Sequence, residues 1–208
     1  MSRKFNFGCL TVLVVLWYVF ISVILHAQGK LPFPCVSHDA ADTLSSETFS
    51  VIYRPDLRIP ISADWVLRRS DMGDTKREPS WRFAEDVRVP KPRAKHDDYT
   101  RSGYDRGHMV PAADRSRSIS SMKSTFVMTN VTPQVATLNR GPWKKIEESC
   151  RAYARNGHPL SIHVDAVFWH VDTQYIGRDS VAVPHGFVKT VRYYPDDSII
   201  YARYFQNY

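Results

Sequence analysis

From position 48 onward the chain is built of short runs in which apolar and polar residues alternate with the period of a β-strand. Phe49-Ser50-Val51-Ile52-Tyr53 is the first such run, and residues 64–69 read as a second. Residues 71–98 are charged and carry Pro79, Pro90 and Pro92, which exclude a long helix and predict loop with short extended pieces. Residues 126–131, rich in β-formers, read as a short strand. One stretch has helical character: residues 142–156, with Pro142 in a first-turn position and Asn156-Gly157 as the stop. Residues 160–170, 180–183 and 187–194 return to strand character. Pro195-Asp196-Asp197 then turns the chain into a last strand at 199–205. Strands surrounding one helix, with no repeat and no low-complexity tract, predict a single α+β domain over residues 48–208.

The first 28 residues follow another rule. Arg3 and Lys4 precede a stretch without charge from position 5 to 25, almost wholly apolar from 10 onward. That is the pattern of a transmembrane anchor or a secretory signal, with the anchor favoured by the length of the apolar run. Residues 29–47, Pro-rich at 31–34, read as a linker. The positive flank sends the rest of the chain to the extracytoplasmic side, periplasmic or extracellular, and a cleaved segment would make it secreted. Cys9 falls inside the anchor, leaving Cys35 and Cys150 as either one bridge or two free thiols.

Composition narrows the function classes. The 208 residues suffice for one well-buried domain, and 43% hydrophobic with 24% charged residues excludes wholesale disorder. Three cysteines without a C-x-x-C pair do not build a structural zinc site. Lys and Arg total 28 against 21 Asp and Glu, a net +7 that invites an acidic partner without saying which.

The chemistry is concentrated between Asp105 and Arg151. Asp105-Arg106-Gly107-His108 is followed by Asn130-Val131-Thr132-Pro133-Gln134, then by Leu138-Asn139-Arg140-Gly141-Pro142-Trp143, with Glu147 and Arg151 further along. An imidazole neutral near pH 7 can take a proton from water. Guanidinium groups match phosphate oxygens in pairs, and a hard cation on oxygen ligands can offset charge developing on a phosphate. These are the parts of a phosphodiester hydrolase. Asn139 and Glu147 lie eight positions apart, about 12 Å along an unbroken helix. They could not then both ligate one ion directly: either Glu147 acts through water, or Gly141-Pro142 breaks the helix and folds Asn139 back.

The order and spacing of these three motifs resemble the DNA/RNA non-specific endonuclease family, with its ββα-metal (His-Me finger) site. Val181-Ala182-Val183-Pro184, Phe187 and Lys189 resemble a further segment of it. The resemblance implies a central, mostly antiparallel sheet with a long active-site helix. It also implies cleavage of DNA and RNA without strong sequence preference, leaving 5′-phosphates. Position by position it makes His108 the general base, Asn139 the direct ligand of one Mg²⁺ (with Mn²⁺ a substitute), and Glu147 the carboxylate orienting the water around that ion. Asn130 becomes the amide near the histidine, and Arg106 and Arg151 the phosphate and transition-state clamps. Arg77 is the candidate for an upstream arginine, with Arg82 as competitor. A homodimer is left open. The sequence departs from the family at Val164-Asp165-Ala166, where many relatives have Thr-Gly-Pro.

Plainer roles suit the other residues. Seven of the eight histidines read as surface or satisfied core residues, Asp105 as an orienting hydrogen-bond partner and Trp143 as packing. Arg115-Ser116-Arg117 fits a phosphate-tracking loop or merely a solvated one. The sequon at Asn130 is discounted because the site needs that asparagine. Two rival functions are a decayed nuclease retained for nucleic-acid binding or DNA uptake at the envelope, and a phosphoesterase of small nucleotides with a closed pocket.

Overall fold

The computed structural model describes residues 41–169 and 173–208. The expected anchor at 1–28, Cys35, His170 and most of the linker lie outside them. Among the described residues no helix is long and apolar enough to cross a membrane.

The centre is a six-stranded antiparallel sheet in the order β1-β2-β3-β6-β9-β10. Its strands are β1 (Asp42–Ser45), β2 (Ser50–Arg54), β3 (Ile59–Leu67), β6 (Leu160–Val167), β9 (Gly186–Tyr193) and β10 (Ile199–Gln206). Two ribbons stand outside it: β4 (Tyr104–His108) with β5 (Val131–Val135), and β7 (Tyr175–Ile176) with β8 (Val181–Ala182). The main helix spans Lys144–Arg155.

Alternation explains the sheet. Ile61, Ala63, Trp65 and Leu67 of β3 face the core, as do Leu160, Ile162, Val164 and Ala166 of β6 and Phe187 and Val191 of β9. The helix covers this face. Trp143, 1% exposed just before the helix, packs its ring against Phe187 and Phe205 at centroid distances of 5.5 and 5.2 Å. Burial of an indole on this scale contributes about 3–5 kcal/mol by the cost of truncating such residues. Cys150 is a free thiol buried in the same layer, and burial pushes its pKa up to about 11.

Three elements differ from the sequence expectation. Residues 42–45, assigned to the linker, form an edge strand because β2 leaves backbone groups to be paired. The strand expected at 64–69 begins at Ile59 and ends at Leu67. Pro60 is accommodated where β2 and β3 shift register, and Asp71 accepts the Arg68 N–H at 2.7 Å to turn the chain. Residues 126–131 do not form one strand. Val127 makes a single bridge to Ala84, Met128–Asn130 is a 3₁₀ turn, and β5 begins only at Val131. The chain bends there around the Asn130 side chain, which donates to the Thr125 carbonyl.

The outer sheet face holds one charged cluster. His163 of β6 lies between Asp64 of β3, 2.6 Å from Nδ1, and Asp165, 2.9 Å from Nε2. Burial alone would lower its pKa, but the hydrogen bonds its ring donates to Asp165 and Asp64 outweigh it and lift it to about 10. A folded-state value above the unfolded one stabilises fully below about pH 6.5 and fades as pH rises toward 10. His163→Ala is therefore expected to cost about 1 kcal/mol at pH 6, a modest figure because Asp64 is half exposed, and little at pH 10. Urea unfolding at the two pH values measures the difference.

Candidate active site

The β4–β5 ribbon pairs His108 with Val131, Gly107 with Thr132, Arg106 with Pro133 and Asp105 with Gln134. Side chains alternate across it, so His108 and Arg106 share one face while Asp105 emerges on the other.

The His108 ring is packed between Phe83 and Phe126, with centroids at 4.8 and 5.1 Å. Its Nε2 is buried with no hydrogen-bond partner among the described residues. This burial, reinforced by the nearby positive charge of Arg77, pushes its pKa down to about 3, so the imidazole is neutral at physiological pH. The strand end carrying it is held by Asn130. That side chain accepts the Val110 N–H at 2.9 Å and donates to the carbonyls of Val110 and Thr125 at 3.0 and 3.1 Å. Fully buried, Asn130 sets the backbone leaving His108, and the burial also removes the sequon from the surface.

Gly107 has a steric reason. A Cβ there would come within 2.3 Å of the Gln134 side chain, which lies over it, so Arg-Gly-His needs its glycine. Gly107→Ala is expected to destabilise by about 1–3 kcal/mol through overpacking, read as a lower midpoint in thermal unfolding.

Three arginines belong to this part of the structure. Arg106 donates to the His96 carbonyl through Nε and a terminal nitrogen at 3.0 and 2.7 Å and lies 5.7 Å from the Tyr99 ring centroid. Arg77 sits over Phe126 at 5.0 Å, beside His108. Arg82 faces His96 and Arg106. The two candidates for the upstream arginine thus occupy neighbouring places, with Arg77 the one whose charge bears on His108. His96, expected to be an ordinary histidine, belongs to this cluster. Its ring stacks on Phe83, which also walls His108.

On the far side of the ribbon, Asp105 accepts from Asn139 Nδ2 at 3.0 Å and from Arg140 at 2.8 and 2.6 Å. The Arg140 hydrogen bonds hold its carboxyl below the usual range. With its amide nitrogen committed to Asp105, Asn139 is oriented to present its oxygen, a hard donor. It sits at the head of a wide π-type turn, Asn139–Trp143, in which Gly141 leaves helical space at φ −106, ψ −113. The helix is broken at Gly141-Pro142, so the axial spacing of an unbroken helix does not hold between Asn139 and Glu147. Pro142 therefore precedes the helix instead of opening it.

Glu147 and Arg151 follow on the helix proper. Burial raises Glu147 to about 7, against the lowering influence of Lys189, whose Nζ lies 3.9 Å from Oε1. Arg151 is 8% exposed and donates to Asp114 at 2.9 Å; Asp114 also accepts the Trp65 indole N–H at 3.0 Å. Expected among the phosphate clamps, Arg151 lies paired beneath the surface. Arg115 is likewise no surface residue. At 1% exposure it donates to the carbonyls of Thr48 and Val66 and faces Asp71 at 3.4 Å, so neither the phosphate-tracking nor the solvated reading describes it. Val164-Asp165-Ala166, where the sequence departs from the family, lies within β6.

Sequence reasoning gave no site role to Asp114, Lys189, Phe83 or Phe126. Lys189 could have been found as a lysine at an inward position between Phe187 and Val191. The aromatic walls come from segments distant in sequence and left no local signal. Arg151→Ala is expected to cost about 3–5 kcal/mol by leaving Asp114 buried and unpaired, a loss seen in chemical denaturation of the free protein and larger than removal of an exposed phosphate clamp would cause.

A ribbon ending in a histidine, followed by a turn bearing an asparagine and then a helix, defines a ββα site on an antiparallel sheet. A family model described as DNA/RNA non-specific endonuclease matches residues 33–198, and the chain belongs to that family. Mitochondrial endonuclease G of Homo sapiens is 33% identical over 167 residues, 73% of this chain and 54% of that protein. A nuclease of Nostoc sp. is 36% identical over 98 residues, 47% of this chain and 36% of its own length. The chain spans about half the length of the curated relatives it matches, or less. The fold is also that of a solved EndoG/EndoGI complex, with a TM-score of 0.73 at 24% identity over 85% of this chain and 76% of that one.

Proposed function

We propose that this protein is a metal-dependent endonuclease that hydrolyses phosphodiester bonds of DNA and RNA without strong sequence preference. The observation carrying this reading is the His108 imidazole: neutral, walled by two aromatic rings, unpartnered at Nε2 among the described residues and near the positive charge of Arg77. Its ring nitrogen is free to accept a water proton, and the negative charge of a bound phosphodiester would restore the basicity that burial and Arg77 remove. Hydroxide formed beside it attacks phosphorus, the bond from phosphorus to the 3′ oxygen breaks and that oxygen takes a proton from solvent, leaving a 5′-phosphate and a 3′-hydroxyl, while the guanidinium groups of Arg106 and Arg77 offset charge on the phosphate oxygens. Asn130 keeps His108 in place through the backbone. In this reading Arg151 serves the phosphate at one remove, through the helix it anchors.

The residues fit a hydrated divalent ion such as Mg²⁺, with Mn²⁺ as a substitute. Asn139 offers an oriented amide oxygen, and Glu147 a carboxylate suited to binding the ion's waters. Among the described residues no group of three or more His, Cys, Asp or Glu could hold a metal, which suits a cation that keeps much of its water shell. When bound, such an ion would neutralise charge on the phosphate and the leaving oxygen. The relatives matched are nucleases by name, which supports the same reading. The apolar run at 10–25 supports an N-terminal anchor placing the domain outside the cytoplasm.

The test is incubation of the purified protein with plasmid and with RNA, with Mg²⁺ or chelator, beside His108→Ala. The parent is expected to cut both substrates, to stop with chelator, and to slow steeply as salt rises because its contacts are to phosphates. His108→Ala is expected to lose about 10²–10⁴-fold. Undiminished cleavage by that variant would remove His108 as base, and an inactive parent that still binds nucleic acid would favour the decayed-nuclease reading.

A further inference from the structure

Lys189 breaks the pattern of its strand. It lies in β9 between the core residues Phe187 and Val191, opposite Val164 of β6, and is 1% exposed. Its Nζ sits 3.8 Å from the Trp143 ring centroid, 5.8 Å from that of Trp65 and 3.9 Å from Glu147 Oε1. Removing an ammonium from water costs several kcal/mol, so it persists in a core only where it is compensated. The two indole faces attract the cation but carry no net charge; the carboxylate beside it does. The other charged groups bearing on Glu147 are Asp114, from the turn after β4, and Arg151 and Glu148 of its own helix. Arg151 and Asp114 neutralise one another at 2.9 Å, and Glu148 turns to Lys144, so Glu147 relies on Lys189.

Resting on the nuclease reading above, we propose that Lys189 is a positioning residue for Glu147: an ammonium fixed between two indoles that holds the carboxylate at one place on the main helix for the reaction. Lys189 does not touch substrate. It acts through Glu147, from the sheet side of the helix.

A double-mutant cycle tests this. Plasmid cleavage at saturating Mg²⁺ is measured for the parent, Lys189→Met, Glu147→Gln and the double variant, with folding checked by circular dichroism. Lys189→Met is expected to lower kcat about 10–100-fold with KM nearly unchanged, and to add less than about 3-fold in the Glu147→Gln background. Equal losses in both backgrounds, or an unchanged kcat, would overturn the proposal. If Lys189→Met does not fold, Lys189→Gln is read in the same cycle. A readout independent of cleavage is the Glu147 carboxyl signal in ¹³C NMR of the metal-free protein. Its midpoint, near pH 7 in the parent, is expected to rise in Lys189→Met, and an unmoved midpoint would refute the pairing. A midpoint that moves in Lys189→Met while the parent cleaves nothing would overturn the nuclease reading and with it the catalytic use of the pair.

Discussion

The site depends on the antiparallel pairing of β4 with β5. Because a strand presents its side chains alternately, four consecutive residues, Asp105 to His108, divide into two sets with different surroundings. One set, Arg106 and His108, enters the arginine-rich side with its aromatic walls. The other, Asp105 and Gly107, meets Asn139 and the Gln134 side chain. A one-residue slip would exchange the two sets, placing an acid among the arginines and the imidazole against Asn139. Asn130 and Gln134, both buried in the partner segment, oppose such a slip: one grips the backbone after His108, the other fills the space over Gly107.

Beneath the helix, charge is kept in pairs. Arg151 with Asp114 and Lys189 with Glu147 bring four ionisable groups into a layer otherwise built of Trp65, Trp143 and Phe187. An apolar layer of the same volume would be as stable or more so. The pairs therefore point to a requirement other than stability, and in the proposed reaction Glu147, which Lys189 faces at 3.9 Å, is where that requirement meets the chemistry.

Much of this was legible in the sequence. Strands with clear alternation, such as 49–53 and 187–194, lie within a residue or two of their expected places, because one face of each meets the core. The helix was legible from its terminators, and Gly157, at φ +92, ends it as expected. The residues 126–131 were misread because β-propensity there is outweighed by a single buried amide, Asn130, which bends the chain. Motif order pointed to His108, Asn139 and Glu147, which lie at the end of β4, in the turn before the helix and on the helix itself. It could not reveal that Arg151 and Arg115 are spent on buried carboxylates. An arginine's partners are set by tertiary packing, and a guanidinium in a motif looks the same whether it faces solvent or Asp114.

The break at Gly141 gives the two polar ends of the site separate anchors. Asn139 is tied to the ribbon through Asp105, whereas Glu147 is tied to the sheet through Lys189. A continuous helix would carry both as one rigid rod. Here a displacement of the sheet layer moves the carboxylate relative to the amide, so the spacing between them is a property of how ribbon and sheet pack, adjustable by core substitutions that touch neither residue.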